Sequence, residues 1–463
     1  MPRARRRARG LALGATLPYS DLSPWIEAPD APQPDLRGDQ RADVVVIGAG
    51  FTGLSAALCL RAEGADVVVL EQEFAGSGAS GRNAGHLTPT IGKDLPTLLR
   101  LYGRERARKL VQFADRAVEY TEDTIARLQI ACDYQATGNV LAAVHPKQES
   151  RLRSAAQTAR DLGGRVRFLT GPEMRERELP DAFLCGVLEE QGGTLDPGRY
   201  VCGLRRAALA AGVRLYEGSR VLGCEPAHPL CVRTDAGQVR ADHAVLATNA
   251  YPVDFWSGPG WKRSAVVPLR VSLFETAPID PAVRSELGWR GREGIYTAHE
   301  ILESYRLTAR GTLVGGSKQV RYAWGGALPP GRDPAAFRAI ERAFRQRFPT
   351  LSGVEIACFW GGWIGFTPDF LPLLGSGGAR GNLHFGLAYA GHGVAQATLM
   401  GAMLADRVRG KPHACEPALV RRHFAWPPEP LRFVLAKLLN GALSAVDART
   451  DRQVEALRRA PRG

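Results

Sequence analysis

Residues 43–71, DVVVIGAGFTGLSAALCLRAEGADVVVLE, decide the fold. Asp43 to Ile47 is a β-branched run, the pattern of a parallel strand buried on both faces. Gly48, Gly50 and Gly53 follow at once in G-x-G-x-x-G spacing, with Ala49, Phe51 and Thr52 between them. Leu54, Ala57, Leu58 and Leu60 then trace the apolar face of a helix, and Val67 to Leu70 form a second buried strand ending in Glu71. Each part has a physical task. Gly48 permits the tight turn, Gly50 leaves room for a pyrophosphate against the backbone, and Gly53 lets helix and strand pack closely. The helix start offers free N–H groups and the positive end of its dipole to phosphates. Glu71, 23 residues after Gly48, stands where a carboxylate takes both hydroxyls of a ribose. Strand, glycines, helix, strand and acid in register predict a dinucleotide-binding βαβ unit.

Outward from this unit, the chain has the length of two or three domains and enough apolar residues for a large core: 463 residues, 45% hydrophobic. No stretch of 18 apolar residues occurs, so no transmembrane segment is expected. The eight cysteines are scattered singly, without a C-x-x-C pair, which argues against a zinc ribbon or a redox dithiol; no metal ligand set is predicted. The net charge of +13 draws on Arg3, Arg5, Arg6, Arg7 and Arg9. That cluster reads as a solvated tail rather than a nucleic-acid site. Its twin arginines are followed by too short an apolar run for an export signal, so a cytoplasmic protein is expected.

Residues 1–40, rich in Pro, Arg and Asp, predict an N-terminal arm. Residues 74–90, FAGSGASGRNAGHLTPT, are a loop able to lie along a ligand, and 95–130 and 147–161 are helical. From Asp196-Pro197, an N-cap followed by a first-turn proline, the α/β pattern returns and runs to a buried strand at His243–Ala247. Residues 263–320 read as β-rich, 333–348 as a helix, and a last helix starts near Val394. Residues 429–443 predict an amphipathic helix docked on the parent fold or at an oligomer contact. The nucleotide scaffold is thus interrupted twice, which implies a domain of three separated segments with a second domain inserted between them.

These residues resemble the FAD-dependent oxidases of the D-amino-acid oxidase superfamily, most of all the branch containing gamma-glutamylputrescine oxidoreductase. The resemblance spans about residues 35–410 and rests on the βαβ unit, GASGRNAGH (78–86), ADHAVLATNAY (241–251), VVPLR (266–270), SYRLT (304–308), GWIGFTPDFLP (362–372) and LAYAGHGVAQATLMG (387–401). It implies an α/β, Rossmann-like FAD-binding domain from segments 41–94, 190–254 and 350–415. An inserted α+β substrate domain with a mostly antiparallel sheet is expected from 95–189 and 255–349, and a C-terminal helical tail from 416–463. By the same resemblance FAD is held through Gly48, Ala49, Gly50, Phe51, Thr52, Gly53 and Glu71, along Ser80, Gly81, Arg82 and Asn83, at Val221, and at the turn Gly391, His392, Gly393 and Val394. Relatives that attach flavin through cysteine carry it five residues before T-P-D, which is Gly362 here; those that use a histidine have it where Asn83 stands. Non-covalent FAD is therefore expected. The lysine that sarcosine oxidases place three residues after the histidine of G-H-G is Ala395 here, which points away from a small N-methyl amino acid.

The implied reaction is oxidation of an amine or amino acid CH–N bond by hydride transfer to flavin N5. It gives an imine that hydrolyses to an aldehyde or keto acid, with a gamma-glutamylputrescine-like amine as candidate substrate and oxygen or another acceptor as electron sink. An oligomer is compatible with it, and the alternative is a flavin electron-transfer or assembly protein without an amine substrate. The candidate catalytic residues are His392, Tyr305 and Arg306. His392 either touches the flavin and substrate or caps a turn. Tyr305 and Arg306, adjacent on a strand, point to opposite faces, so at most one meets the flavin; Arg306 either clamps a carboxylate or bridges domains. His86 is either at the flavin or behind it, Trp363 is a candidate wall for an amine, and His299 reads as a surface turn residue.

Overall fold

In the computed structural model, which describes residues 17–225, 228–251, 265–378, 380–422 and 424–459, the βαβ unit forms as strand Gly38–Ile47, helix Phe51–Ala62 and strand Val67–Leu70. The arginine cluster at residues 3–9 lies outside the described residues. Gly48 has φ +101°, and a Cβ there would meet the Ala247 carbonyl oxygen at 2.9 Å. A Cβ on Gly53 would lie 1.9 Å from the Gly48 oxygen, so the helix crosses its strand at a distance only glycine allows.

The first strand is central. It pairs in parallel with Val67–Leu70 on one side and Gly237–Leu246 on the other. Arg214–Tyr216 extends one edge in parallel; Leu383–Leu387 and then the antiparallel Leu373–Gly377 extend the other. A small antiparallel meander, Val221–Glu225 and Leu230–Thr234, hangs from Gly237–Leu246. Helices Phe51–Ala62, Pro197–Ala210 and Gly393–Val408 bury their apolar sides in one core against this sheet. Asp196 caps Pro197–Ala210 by accepting from the Arg199 amide at 2.9 Å.

The second sheet runs Ile356–Phe366, Val267–Thr276, Leu313–Arg321, Glu303–Leu307, Gly294–Thr297, Asn139–Ala143, Cys185–Glu189, Val166–Leu169. Its ladders are antiparallel except between Gly294–Thr297 and Asn139–Ala143. Helix Pro334–Arg347 packs Phe337, Ile340 and Phe344 onto one face of it.

Several boundaries differ from expectation. Ile356–Phe366 belongs to this second sheet, not to the nucleotide segment 350–415, because it pairs along almost its whole length with Val267–Thr276. Helix Leu95–Arg127, expected with the substrate domain, buries Leu110, Phe113, Ala117 and Val118 in the core of the nucleotide layer. The expected arm is bound to the body: Trp25 and Ile26 are buried, and Gly38–Gln40 already belong to the first strand. The last helix, expected over 429–443, runs from Leu431 to Arg459. His299 is not a surface turn residue: its side chain is sealed among Glu303, Arg347 and Asp451. Long-range partners bury it: Arg347 and Asp451 come from the helices Pro334–Arg347 and Leu431–Arg459.

That buried cluster seats the last helix. Arg347 donates to Glu303 at 2.9 Å and to Asp451 at 2.5 Å, and Lys318 bonds Glu303 at 2.8 Å and Asp451 at 2.7 Å. Nearby, Asp447 accepts from the Glu300 and Ile301 amides, each at 2.9 Å. Attraction from Arg347 and Lys318 outweighs the desolvation of Glu303 and holds its carboxyl at about 2.

Candidate active site

A cavity of about 1000 Å³ opens between the two sheets, at the C-terminal ends of parallel strands marked by Ile47, Leu70 and Ala247. That is where open α/β sheets place their ligands. Glu71, Ser219 and Val221 line one part of it, Gly48, Gly50 and Ser80 another, and Gly391 to Val394 a third.

Two helix N-termini open on this space. The helix Phe51–Ala62 has Gly50 at its N-cap and Gly393–Val408 has His392, and neither cap residue bonds its helix through a side chain. Their positive dipole ends therefore remain available to a ligand. Glu71 is aimed by two backbone amides: its carboxylate accepts from Ala49 at 2.8 Å and Glu73 at 3.1 Å. Burial nonetheless raises its pKa. Ser80 Oγ accepts from the Phe51 amide at 3.0 Å, and a Cβ on Gly50 would press to 2.7 Å from it.

Most of the expected cofactor residues come together here: Gly48, Gly50, Phe51, Thr52, Glu71, Ser80, Arg82, Asn83, Val221, Gly391, His392, Gly393 and Val394 all line the cavity. Ala49, Gly53 and Gly81 stand behind it. Ala49 orients Glu71, Gly53 serves helix–strand contact, and the Gly81 carbonyl accepts from Trp25 at 2.8 Å. Arg82 is held by the Ser77 carbonyl at 2.6 Å and Asn83 by Ser80 and Gly85, so both brace the loop.

His392 Nδ1 shares a 2.6 Å hydrogen bond with Thr90 Oγ1, and burial pushes its pKa down to about 4. His86 behaves alike. Its Nδ1 is 3.0 Å from Asn139 Oδ1, whose Nδ2 donates to the Leu87 carbonyl, so Nδ1 carries the proton. Nε2 is left buried without a partner on the cavity wall, and burial again lowers the pKa to about 4. Both rings are neutral at pH 7. Thr248 Oγ1, also on the wall, is likewise buried and unpartnered. Helix starts that their own cap residues leave open and orphaned polar atoms around one large cavity are the features a bound dinucleotide satisfies.

Two candidate catalytic residues lie elsewhere. Tyr305 shares its strand face with Glu303 and Leu307; it packs on Phe183 and Phe348 inside the second core and bonds Glu303 at 3.1 Å. Arg306 sits beyond the cavity, over the Trp25 ring and bonded to the Ala84 carbonyl, in a small cleft with Asp133 and Asp196. Strand alternation separated the two side chains as expected, but the cavity residue of that strand is Ser304. Arg306 therefore bridges structure rather than clamping a ligand here.

Pattern reading missed several wall residues. Tyr296 reaches the cavity and bonds Glu189, whose carboxyl burial pushes up to about 8. Trp426, Arg432, Leu435, Lys437, Asn440 and Leu443, from the last helix and its approach, close another wall. The amphipathic pattern at 429–443 marked a docking helix without showing what it docks over. Trp363 lines the cavity, while Trp360 is sealed in the core and bonds the Arg82 carbonyl. Gly362 also lines the cavity, 3.4 Å in Cβ terms from Arg82, and among the described residues no cysteine does.

Together the doubly wound nucleotide layer, the second sheet and the cavity between them define an FAD-dependent oxidoreductase, and comparison bears this out: residues 43–407 match the model of the DAO family, "FAD dependent oxidoreductase", and the chain belongs to that family. It is 31% identical over 86% of its length to gamma-glutamylputrescine oxidoreductase of Escherichia coli K12, covering 90% of that protein. Among solved structures it resembles glycine oxidase from Geobacillus kaustophilus, with TM-score 0.70 at 20% identity over 83% of this chain and 100% of the other. It also resembles L-proline dehydrogenase from P. horikoshii, with TM-score 0.68 at 21% identity over 81% and 95%. The protein is thus an FAD-dependent enzyme of the amine- and amino-acid-oxidising kind. No helix among the described residues is long and apolar enough to cross a membrane.

Proposed function

We propose that the protein oxidises the CH–NH bond of an extended amine of the gamma-glutamylputrescine type to an imine, which water converts to an aldehyde. The observation that carries this reading is one cavity onto which two helix N-termini open and which is also walled by apolar and aromatic side chains, Trp363 and Tyr296 among them. FAD supplies the two-electron acceptor for the hydride that leaves the amine-bearing carbon. Glu71, Gly48, Gly50 and Val221 would hold its adenosine and pyrophosphate, and Gly391 to Val394 the pyrimidine edge of the flavin. The uncapped start of Gly393–Val408 directs positive potential at the position where charge accumulates on reduction. His392, neutral and fixed by Thr90, orients rather than titrates. The likeness to gamma-glutamylputrescine oxidoreductase, and Ala395 in place of a lysine, support an extended amine over a small N-methyl amino acid.

The test is anaerobic addition of gamma-glutamylputrescine to the purified protein. Bleaching of the flavin band near ~450 nm is expected. A flavin that neither this compound nor a panel of amines and amino acids bleaches would instead favour an electron-transfer protein. The low pKa of both cavity histidines adds a second expectation. Only unprotonated amine reacts, so kcat/KM rises about tenfold per pH unit until the amine's own pKa, with no break near pH 6.5. A break there would show a titrating histidine and count against the neutral-amine route.

A further inference from the structure

The helix Leu431–Arg459 lies wholly outside the family segment 43–407, yet it walls the cavity. Resting on the reading above, we propose that Lys437 and Asn440 form a head-group subsite for the α-ammonium and α-carboxylate of an amino-acid moiety, at the end of the substrate remote from the oxidised carbon.

The two residues are three apart on one helix and both line the cavity. Three-residue spacing places them on one face, one turn from each other. Both have polar atoms that no protein group takes. Asn440 Oδ1 is buried without a hydrogen-bond partner. Lys437 forms no ion pair among the described residues, and its ammonium rests 4.6 Å from the Phe433 ring centre. Other cations of the wall are committed: Arg82 to the Ser77 carbonyl, Arg321 to Asp333, Arg432 to the Pro427 carbonyl and Tyr322. Arg220, also on the wall, neighbours Val221 at the adenosine part. A cation without an ion-pair partner, one helical turn from an unfilled acceptor, is the complement of a zwitterion: ammonium to carboxylate, amide oxygen to ammonium. Leu435, Leu439 and Leu443 line the cavity from the same helix and offer apolar surface to the methylenes of a diamine spacer. A buried polar atom left open costs stability unless a ligand fills it, so the site discriminates strongly against amines that lack the head.

The seat of the helix makes the subsite rigid. Asp447 and Asp451 anchor it, and the amides that Asp447 binds belong to Glu300 and Ile301, which themselves line the cavity.

The test separates head recognition from oxidation. γ-Glutamylethylamide carries the head but no oxidisable amine terminus. Calorimetry of the FAD-loaded protein should show it binding, with Kd raised at least fivefold in Lys437→Glu and in Asn440→Leu. In turnover, both substitutions should raise KM for gamma-glutamylputrescine by a similar factor and change kcat/KM for N-acetylputrescine, which lacks the head, by a clearly smaller one. A melting temperature not lowered in either variant confirms that the fold is intact; removal of the unfilled acceptor in Asn440→Leu should leave it unchanged or raise it. No binding of γ-glutamylethylamide to the wild type, or equal binding by wild type and variants, overturns the subsite. Head binding that the variants weaken, together with a flavin that gamma-glutamylputrescine does not bleach, sustains the subsite and sinks the substrate reading instead.

Discussion

The nucleotide side of the cavity and the opposite side are built by different rules. Glycines 48, 50 and 53, the Glu71 carboxylate and two helix starts form the first, and nearly all of its contacts are backbone geometry within short stretches of chain. Side chains far apart in sequence form the second: Tyr296, Ser304, Trp363 and Lys437 meet only because two sheets and a distant helix converge. The first side is specified by φ angles and close approach, which tolerate little variation. The second is specified by packing and charge pairing, which allow one scaffold to accept different substrates.

The sharpest way to break this contrast is at the ion cluster. Arg347→Met should leave the Glu303 carboxylate buried without its guanidinium and cost about 3–5 kcal/mol. Denaturant unfolding measures it, and the folded fraction should still carry stoichiometric FAD. Loss of FAD together with stability would mean that the two sides are one energetic unit. A smaller effect is expected from Glu71→Gln. Losing charge-assisted bonds of ~1.5–3 kcal/mol should weaken FAD binding by about one to two powers of ten with little change in apoprotein stability. Equilibrium dialysis of the flavin decides it; unchanged affinity would remove Glu71 from the site. The smallest is Thr90→Val, which strips the partner from His392 Nδ1. A loss of ~1 kcal/mol, or a melting temperature lower by about 1 °C in a chain of this length, is expected in calorimetry. A change in kcat above tenfold would show that His392 does more than orient.

The same contrast explains what the chain disclosed in advance. The βαβ unit was legible because continuous β-branched and helical apolar patterns, three glycines in fixed spacing and the terminal acid all fall within 29 consecutive residues. The Asp196 cap and the Gly391–Val394 turn were legible for the same local reason. Tyr305 and Arg306 were not: alternation shows that they diverge, but which face meets a cavity depends on helix Pro334–Arg347 covering one side and Trp25 meeting the other. His299 was hidden similarly, since its partners Arg347 and Asp451 lie 48 and 152 residues away. The strand Ile356–Phe366 follows a helix and precedes nucleotide-layer elements, so its sheet could be settled only by its long-range partner.

The anchoring cluster also orders the making of the site. Its members arrive from the ribosome at residues 299, 303, 318, 347 and, after a gap of about a hundred residues, 451. The strands and helix starts of the nucleotide side are all translated by residue 397. A nascent chain therefore possesses every group of its cofactor cradle well before it possesses the helical wall of its substrate chamber. Truncation upstream of Asp451 yields a chain with the cradle but without the seat for that wall.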